Sequence, residues 1–410
     1  MKDYDYVLVY PKPSFDSPNK LVPLSILYPG AKLEEEGHEV EYVDCRFEPE
    51  TKVYELAKNT DNLGVSCMTG FQLGEAVRIL KRVKEINPDI KTLLGGYHAT
   101  LLPEQCLKEP LVDDVHVGRM GEELFPYNEK TKKYFEWGDL IWFSSTGCFH
   151  RCGFCCIEKK WRPKNLERFK RELSIIHDDI GFGKLVLGDP NLGKKEDRIK
   201  EMGKFFRGRD IQWHCNIRCD YIDDEFAKLL EWANCYSVEL GCESGSNRIL
   251  REVIRKGHGT SAILEAVKSF SKTRISVMCS FMVDLPTETR EEVLMTLDLI
   301  DEIRKINKNA RVSIYRYTPY PKTSMLEMAI REGFEEPRSM LEWSRIGMHV
   351  HPLYWIAGLK FRKDNIKKNF RGVNRLKILP FEMLADAYWR FRITNNFPSS
   401  MARKVIEKRV

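Results

Sequence analysis

With 410 residues, 42% of them apolar, the chain is long enough for two or three domains with ordinary cores. Its 66 basic and 60 acidic residues leave a net charge of +6, too slight an excess to imply a nucleic-acid partner. No run of about eighteen apolar residues is present to span a membrane, no secretory leader is expected ahead of the first strand-like run, and twelve cysteines outside a small secreted framework fit a reducing cytoplasm better than disulfides.

Residues 1–128 alternate strand and helix signals. Tyr6 to Tyr10 reads as a buried strand stopped by Pro11 and Pro13, and a helix follows from Leu24 to Glu36, closed by Gly37. Val40 to Val43 and Leu63 to Ser66 are the next strands. Leu73, Ala76, Val77, Leu80, Val83 and Ile86 recur at helical spacing and predict one amphipathic helix. Two further strands run into Gly95-Gly96 and Gly118. Units of this length imply a Rossmann-like, doubly wound parallel sheet, whose ligands sit beyond the strand carboxyl ends. Gly95, Gly96 and Gly118 gather there, where backbone can approach a large flat ligand, and Ser66, Thr69 and His98 can hydrogen-bond its edge. The bland alternative is that these glycines serve only tight turns.

Tyr127 to Gly138 is polar and reads as a linker. From 136 to 333 six strand candidates alternate with helices: Ile141 to Phe143, Lys184 to Leu187, Ile211 to Trp213, Tyr236 to Leu240, Ile275 to Val283 and Arg311 to Tyr317. They predict a partial (β/α)6 TIM-type barrel, with functional groups at the strand carboxyl ends. Just after the first of these strands come Cys148, Cys152 and Cys155, spaced C-x3-C-x2-C in one glycine-containing loop. Three thiolates suit a four-iron cluster with one iron left open. A zinc site would need a fourth ligand, for which His150 or Cys156 is at hand.

The loop resembles the signature of the radical SAM superfamily, including an aromatic, Phe154, before the last cysteine. The resemblance implies a [4Fe-4S] cluster on Cys148, Cys152 and Cys155 that binds S-adenosyl-L-methionine (SAM), with Phe154 beside it. It also implies that Asp189 takes the SAM amino group and that Arg218 pairs with its carboxylate, a rim salt bridge being the alternative for Arg218. The stretch Glu239 to Ser246 is similar to the family's G-x-E-S ribose segment. Glu239, Glu243 and Ser244 are carried over as cofactor-binding, with helix capping as the serines' other reading. Three glycines of the family's later loops are replaced, by Asp284, Thr287 and Lys322.

Residues 1–128 resemble the cobalamin-binding domain found ahead of many radical SAM domains. The similarity rests on Pro23-Leu24, Leu33 to Val40, Tyr42-Val43-Asp44, Gly64 to Ser66, Thr69, Gly95 to Thr100 and Gly118 to Glu122. It implies a cobalamin held by Ser66, Thr69, Gly95, Gly96, His98 and Gly118. The D-x-H-x-x-G motif is missing, so cobalamin is expected without a histidine below the cobalt.

The two resemblances imply a cobalamin-dependent radical SAM methyltransferase, cytoplasmic and anaerobic, that acts on an unactivated carbon through a 5′-deoxyadenosyl radical. The alternatives are a radical SAM cyclase, oxidase or mutase, and a non-enzymatic iron–sulfur protein that binds nucleic acid. An electron donor such as ferredoxin or flavodoxin is expected. The expected substrate is a protein or peptide, with methyl-coenzyme M reductase as one candidate, or a small molecule. Residues 334–410 read as a small, mainly helical accessory region carrying eight Lys/Arg between Gly358 and Lys377.

Overall fold

The computed structural model describes residues 4–13, 21–137 and 139–346. It divides into two compact units: Met1–Leu140 with the segment that begins at Glu336, and Ile141–Glu335.

The first unit is built on a five-stranded parallel sheet in the order β2-β1-β3-β4-β5, with β1 Tyr4–Tyr10, β2 Val40–Asp44, β3 Thr60–Ser66, β4 Lys91–Gly95 and β5 Asp114–Val115. This is the flavodoxin-like doubly wound order, with its switch point between β1 and β3. Val7 and Val9, Val40 and Val43, and Leu63 and Val65 are buried in the sheet, as near-continuous apolar strands covered on both faces should be. The helix Leu24–Glu35 ends one residue short of expectation, and Gly37, at φ +93°, turns the chain into β2. The amphipathic helix spans Phe71–Ile86 and buries Leu73, Ala76, Ile79, Leu80 and Val83, while Val77 and Ile86 lie at its margin.

Two expectations are corrected here. The predicted linker contains a helix, Lys132–Trp137, with Tyr134 and Phe135 buried; the Tyr134 hydroxyl donates to the Tyr42 carbonyl at 2.7 Å. A helix so short shows no period, so two aromatics carried the signal unseen. The expected accessory region 334–410 is also divided. From Glu336 the described chain groups with the first unit, where Met340 N donates to Glu109 Oε1 and Trp343 is fully buried. The basic stretch from Gly358 to Lys377 lies outside the described residues.

The second unit carries β6 Ile141–Trp142, β7 Ser145–Thr146, β8 Arg162–Pro163, β9 Lys184–Leu187, β10 Gln212–Ile217, β11 Cys235–Glu243, β12 Ser276–Val283 and β13 Arg311–Arg316. Six of these form one parallel sheet in the order β13-β12-β11-β10-β9-β6, and β7 and β8 make a small antiparallel ladder beside it. Sequential parallel order with a helix after most strands is the open barrel that the sequence predicts. Burial alternates along the strands. Leu185, Trp213, Cys215, Val238, Leu240, Val277, Cys279 and Phe281 pack outward under the helices. The residues between them face inward and are largely half-buried.

Candidate functional site

The cysteine loop leaves β7 through Gly147, at φ +68°. A Cβ there would stand 2.0 Å from the Lys160 carbonyl, so only glycine permits the turn. Cys148 N donates to Glu158 O at 2.9 Å, and Gly153 is clamped from both sides: its N–H donates to Ile254 O at 2.7 Å and its carbonyl accepts from Met325 N at 3.0 Å. Backbone bonds thus fix a loop whose three thiols stay half-buried rather than packed away. Phe154 is half-buried beside Cys155.

Cations stand behind this loop. Arg218, at the end of β10, is 6% exposed and forks onto Asp220 through Nε and Nη2, both at 2.9 Å. Its Nη1 lies 3.9 Å from Cys152 Sγ. The salt bridge given as the alternative for Arg218 is present, and it turns the guanidinium toward Cys152. Glu243, at φ +66° and 7% exposed, accepts from Lys256 Nζ at 2.7 Å. Burial alone would drive the Lys256 ammonium toward neutrality; the Glu243 carboxylate, helped by Cys152, outweighs it and holds the amine charged. The pair folds over Gly241, where a Cβ would meet Glu243 Oε1 at 2.5 Å and Lys256 Nζ at 2.6 Å.

Lys256, Asp220 and Tyr221 were not anticipated. The run Arg255-Lys256-Gly257-His258, two cations before a glycine with φ +84°, was the signal available for Lys256.

Asp189 is not where the resemblance puts it. It is fully buried, and its carboxylate accepts from Ser144 N and Ser144 Oγ at 2.7 Å and from the Ser145 hydroxyl. Burial raises its pKa and the Ser145 and Ser144 bonds oppose that. Asp189 therefore shapes the backbone entering the cysteine loop and presents no oxygen to a ligand. Ser244 is equally enclosed: its Oγ accepts from Ser246 N at 3.1 Å and meets Thr296 Oγ1 at 3.4 Å. Its role is the turn into the next helix, the alternative reading. Glu239 stays apart from the Glu243 pair, on the inward face of β11, where it accepts from the Ser280 hydroxyl. The three replaced glycines explain themselves: Asp284, Thr287 and Lys322 all take positive φ, at 63°, 61° and 56°.

Cluster chemistry fits these residues better than zinc does. His150, one of the two fourth ligands a zinc site could use, has its Nε2 engaged by the Tyr221 hydroxyl. Among the described residues no three His, Cys, Asp or Glu side chains close on a single point. A zinc ion needs its ligands around one centre, whereas each cysteine of an iron–sulfur cluster takes its own iron.

At the carboxyl edge of the first sheet, Gly96 (φ +89°) lets the chain fold against Cys67, where a Cβ would lie 2.5 Å from the Cys67 carbonyl. Gly118 (φ +93°) has nothing within 4 Å of such a Cβ, and a Cβ on Gly95 would find only the Val65 carbonyl, at 4.0 Å. Ser66 is 8% exposed, next to Gly96. Thr69 Oγ1 and His98 Nδ1 are 3.0 Å apart and satisfy each other.

His98 corrects its expected role. It is fully buried, its ring packs edge-on against Trp343 at 6.3 Å, and burial lowers its pKa to about 4. It belongs to the interior of the unit and offers nothing to a ligand's edge. What the edge does present is apolar: Met68, Tyr97 and Val117, after β3, β4 and β5, are 46%, 37% and 55% exposed. His116 is exposed there too, and the sequence reading gave it no role. A rim of apolar side chains and side-chain-free glycines fits a large flat ligand such as a corrin ring.

Comparison with known proteins gives the same division. Residues 16–126 match the B12 binding domain and residues 142–300 the radical SAM superfamily. The chain is 28% identical over 370 residues to an uncharacterized methyltransferase of Pyrococcus horikoshii, covering 75% of this chain and 78% of that protein. It shares its fold with the radical SAM methyltransferase TsrM of Kitasatospora setae, solved with cobalamin and a [4Fe-4S] cluster (TM-score 0.63, 17% identity, 80% of this chain and 78% of that one). It also shares it with the cobalamin-dependent radical enzyme OxsB, solved with aqua-cobalamin (TM-score 0.68, 16% identity, 98% and 75%). The chain therefore carries a B12-binding domain followed by a radical SAM domain.

Proposed function

We propose that this protein is a cobalamin-dependent radical SAM methyltransferase that methylates an unactivated carbon. The observation that carries the reading is the cysteine loop itself: three half-buried thiols held by backbone bonds at the carboxyl end of a partial barrel, with the buried cations Arg218 and Lys256 behind Cys152. Cys148, Cys152 and Cys155 would hold the cluster, and the rim of Met68, Tyr97, Val117, Gly95, Gly96 and Gly118 would hold cobalamin. When bound, cluster and SAM supply one-electron radical chemistry and cobalamin supplies the methyl group. The chain contributes binding, orientation and exclusion of water. The Arg218 guanidinium donates toward Cys152 across 3.9 Å and sets a fixed positive charge beside that sulfur. Glu243, already paired with Lys256, would accept from ribose hydroxyls.

The named methyltransferase of Pyrococcus horikoshii and the bound groups of TsrM support the same reading. A low-potential electron donor, a ferredoxin or flavodoxin, completes the requirements.

Anaerobic reconstitution with iron, sulfide and methylcobalamin tests the proposal. The expected result is a cluster EPR signal, base-off cobalamin in the absorbance spectrum, and a product heavier by one methyl group. Protein that releases 5′-deoxyadenosine with every substrate processed, and never a methylated product, would be a radical SAM enzyme of another kind.

A further inference from the structure

Among the described residues of the second unit, most carboxylates whose side chains are at least partly withdrawn from water are paired with a cation. Asp220 has Arg218 at 2.9 Å, Glu243 has Lys256 at 2.7 Å, Glu172 has Lys164 and Arg168 at 2.7 and 2.6 Å, Glu292 has Arg248 at 2.6 Å and Asp284 has Arg316 at 2.7 Å. Glu239 differs. It is half-buried on the inward face of the barrel, between Asn216 of β10 and Met278 of β12 in register. The Ser280 hydroxyl donates to it, and among the described residues no lysine or arginine lies within ion-pair distance.

The groups sharing that face do not neutralise it. His214 sits near enough for the Glu239 charge to act on it, yet burial outweighs that charge and lowers the imidazole's pKa, so it is neutral at pH 7. Tyr315, also within reach of the charge, has its phenol raised by burial and stays protonated. Asn216, Ser280 and Ser313 are uncharged, and the cations on the same face, Arg311 in register with Met278 and Lys256 over Gly241, make no ion pair with Glu239 among the described residues. A carboxylate partly withdrawn from water gains little from one hydroxyl, and much more from a cation that arrives with a ligand.

We propose that Glu239 is the substrate-recognising carboxylate of the barrel interior, and that the substrate brings to it a cationic nitrogen, an amine or a guanidinium. The assignment rests on the enzymatic reading above and moves Glu239 from the cofactor to the substrate. An anionic group at the same place would meet a like charge with no cation in contact to offset it, so the site also selects against acids.

The test uses the full chain, reconstituted with its cluster and titrated calorimetrically with three probes of equal length: n-pentylamine, 1-pentanol and pentanoate. The amine should bind best and pentanoate worst. Glu239→Gln, which keeps the size of the side chain and its bond to Ser280, should weaken pentylamine by about tenfold or more. Ser280→Ala, which leaves the charge, should keep the order of the three probes. N-acetyl-lysinamide as a fourth probe shows whether the cation arrives on a peptide side chain: tighter binding than pentylamine assigns a peptide, weaker binding a free amine.

Equal binding of pentylamine and 1-pentanol overturns the proposal, as does pentylamine binding that survives Glu239→Gln. Loss of SAM affinity in Glu239→Gln with amine binding intact returns the residue to the cofactor. Calorimetry reads binding without turnover, so protein that binds pentylamine but releases no 5′-deoxyadenosine fails as an enzyme and still keeps this site.

Discussion

The two strand-end surfaces of this protein are built on opposite plans. At the carboxyl end of the barrel, charged side chains are committed in pairs: Arg218 to Asp220 and Lys256 to Glu243, both beside Cys152. At the carboxyl edge of the first sheet Thr69 Oγ1 and His98 Nδ1 bond to each other, and the outside carries glycines and apolar side chains with His116 exposed among them. The contrast follows from what each surface would hold. Thiolate ligands and a charged cosubstrate need fixed counter-charge, while a broad ring needs flat apolar contact and close backbone approach. A polar residue in a family motif is therefore not by itself a ligand contact; His98 and Asp189 are both spent on shaping the chain.

The largest expected effect strikes the barrel end alone. Replacing any one of Cys148, Cys152 or Cys155 by Ala should abolish the cluster and all SAM cleavage, while cobalamin binding by the first unit persists. Iron content, EPR and cobalamin retention on a desalting column read this together. Loss of both cofactors at once would mean that the two surfaces are not independent.

Next comes the buried ion pair. Lys256→Met strands the Glu243 carboxylate and should cost about 3–5 kcal/mol of stability, much of it recovered in the double variant with Glu243→Gln. Urea unfolding of the single and double variants measures the recovery. Equal midpoints for the single variant and the parent would show that the pair is solvated.

The first unit should respond to acid instead. Burial lowers the His98 pKa to about 4, against 6.5 for a free imidazole. Its Nε2 has no hydrogen-bond partner among the described residues, so a proton there would bury an uncompensated charge. The unfolded chain thus binds more protons between pH 6.5 and 4. Stability is full above about pH 6.5 and falls as pH drops toward 4, by at most roughly 1.4 kcal/mol per pH unit. His98→Gln should flatten that slope, read from urea midpoints at pH 7 and pH 5.

Two glycines of the same edge should separate fold from ligand. Gly96→Ala meets the Cys67 carbonyl and should destabilise by about 1–3 kcal/mol. Gly118→Ala meets nothing, so only its positive φ costs stability, about 1 kcal/mol, and its main effect should be weaker retention of cobalamin. The smallest effect is a gain. Lys322→Gly relieves a left-handed backbone and should add about 0.5–1 kcal/mol. Unchanged thermal midpoints would show the turn to be unstrained.

By themselves the residues determined the architecture. Apolar strands alternating with amphipathic helices fixed both parallel sheets, all six barrel strands fell close to their expected positions, and the C-x3-C-x2-C spacing placed the loop. These are local properties: period, glycine at positive φ, and thiol spacing act over a few residues. Tertiary structure alone decided how the polar candidates are used. His98 is enclosed by Trp343, Asp189 by Ser144 and Ser145, and Cys152 is met by Arg218. Those partners are brought from up to 245 residues away in sequence, Trp343 being the most distant from its partner His98. Burial and charge pairing depend on what packs across a gap, and no local pattern encodes that. The lone carboxylate of Glu239 became visible only when its neighbouring strands were in place and none of them supplied a cation.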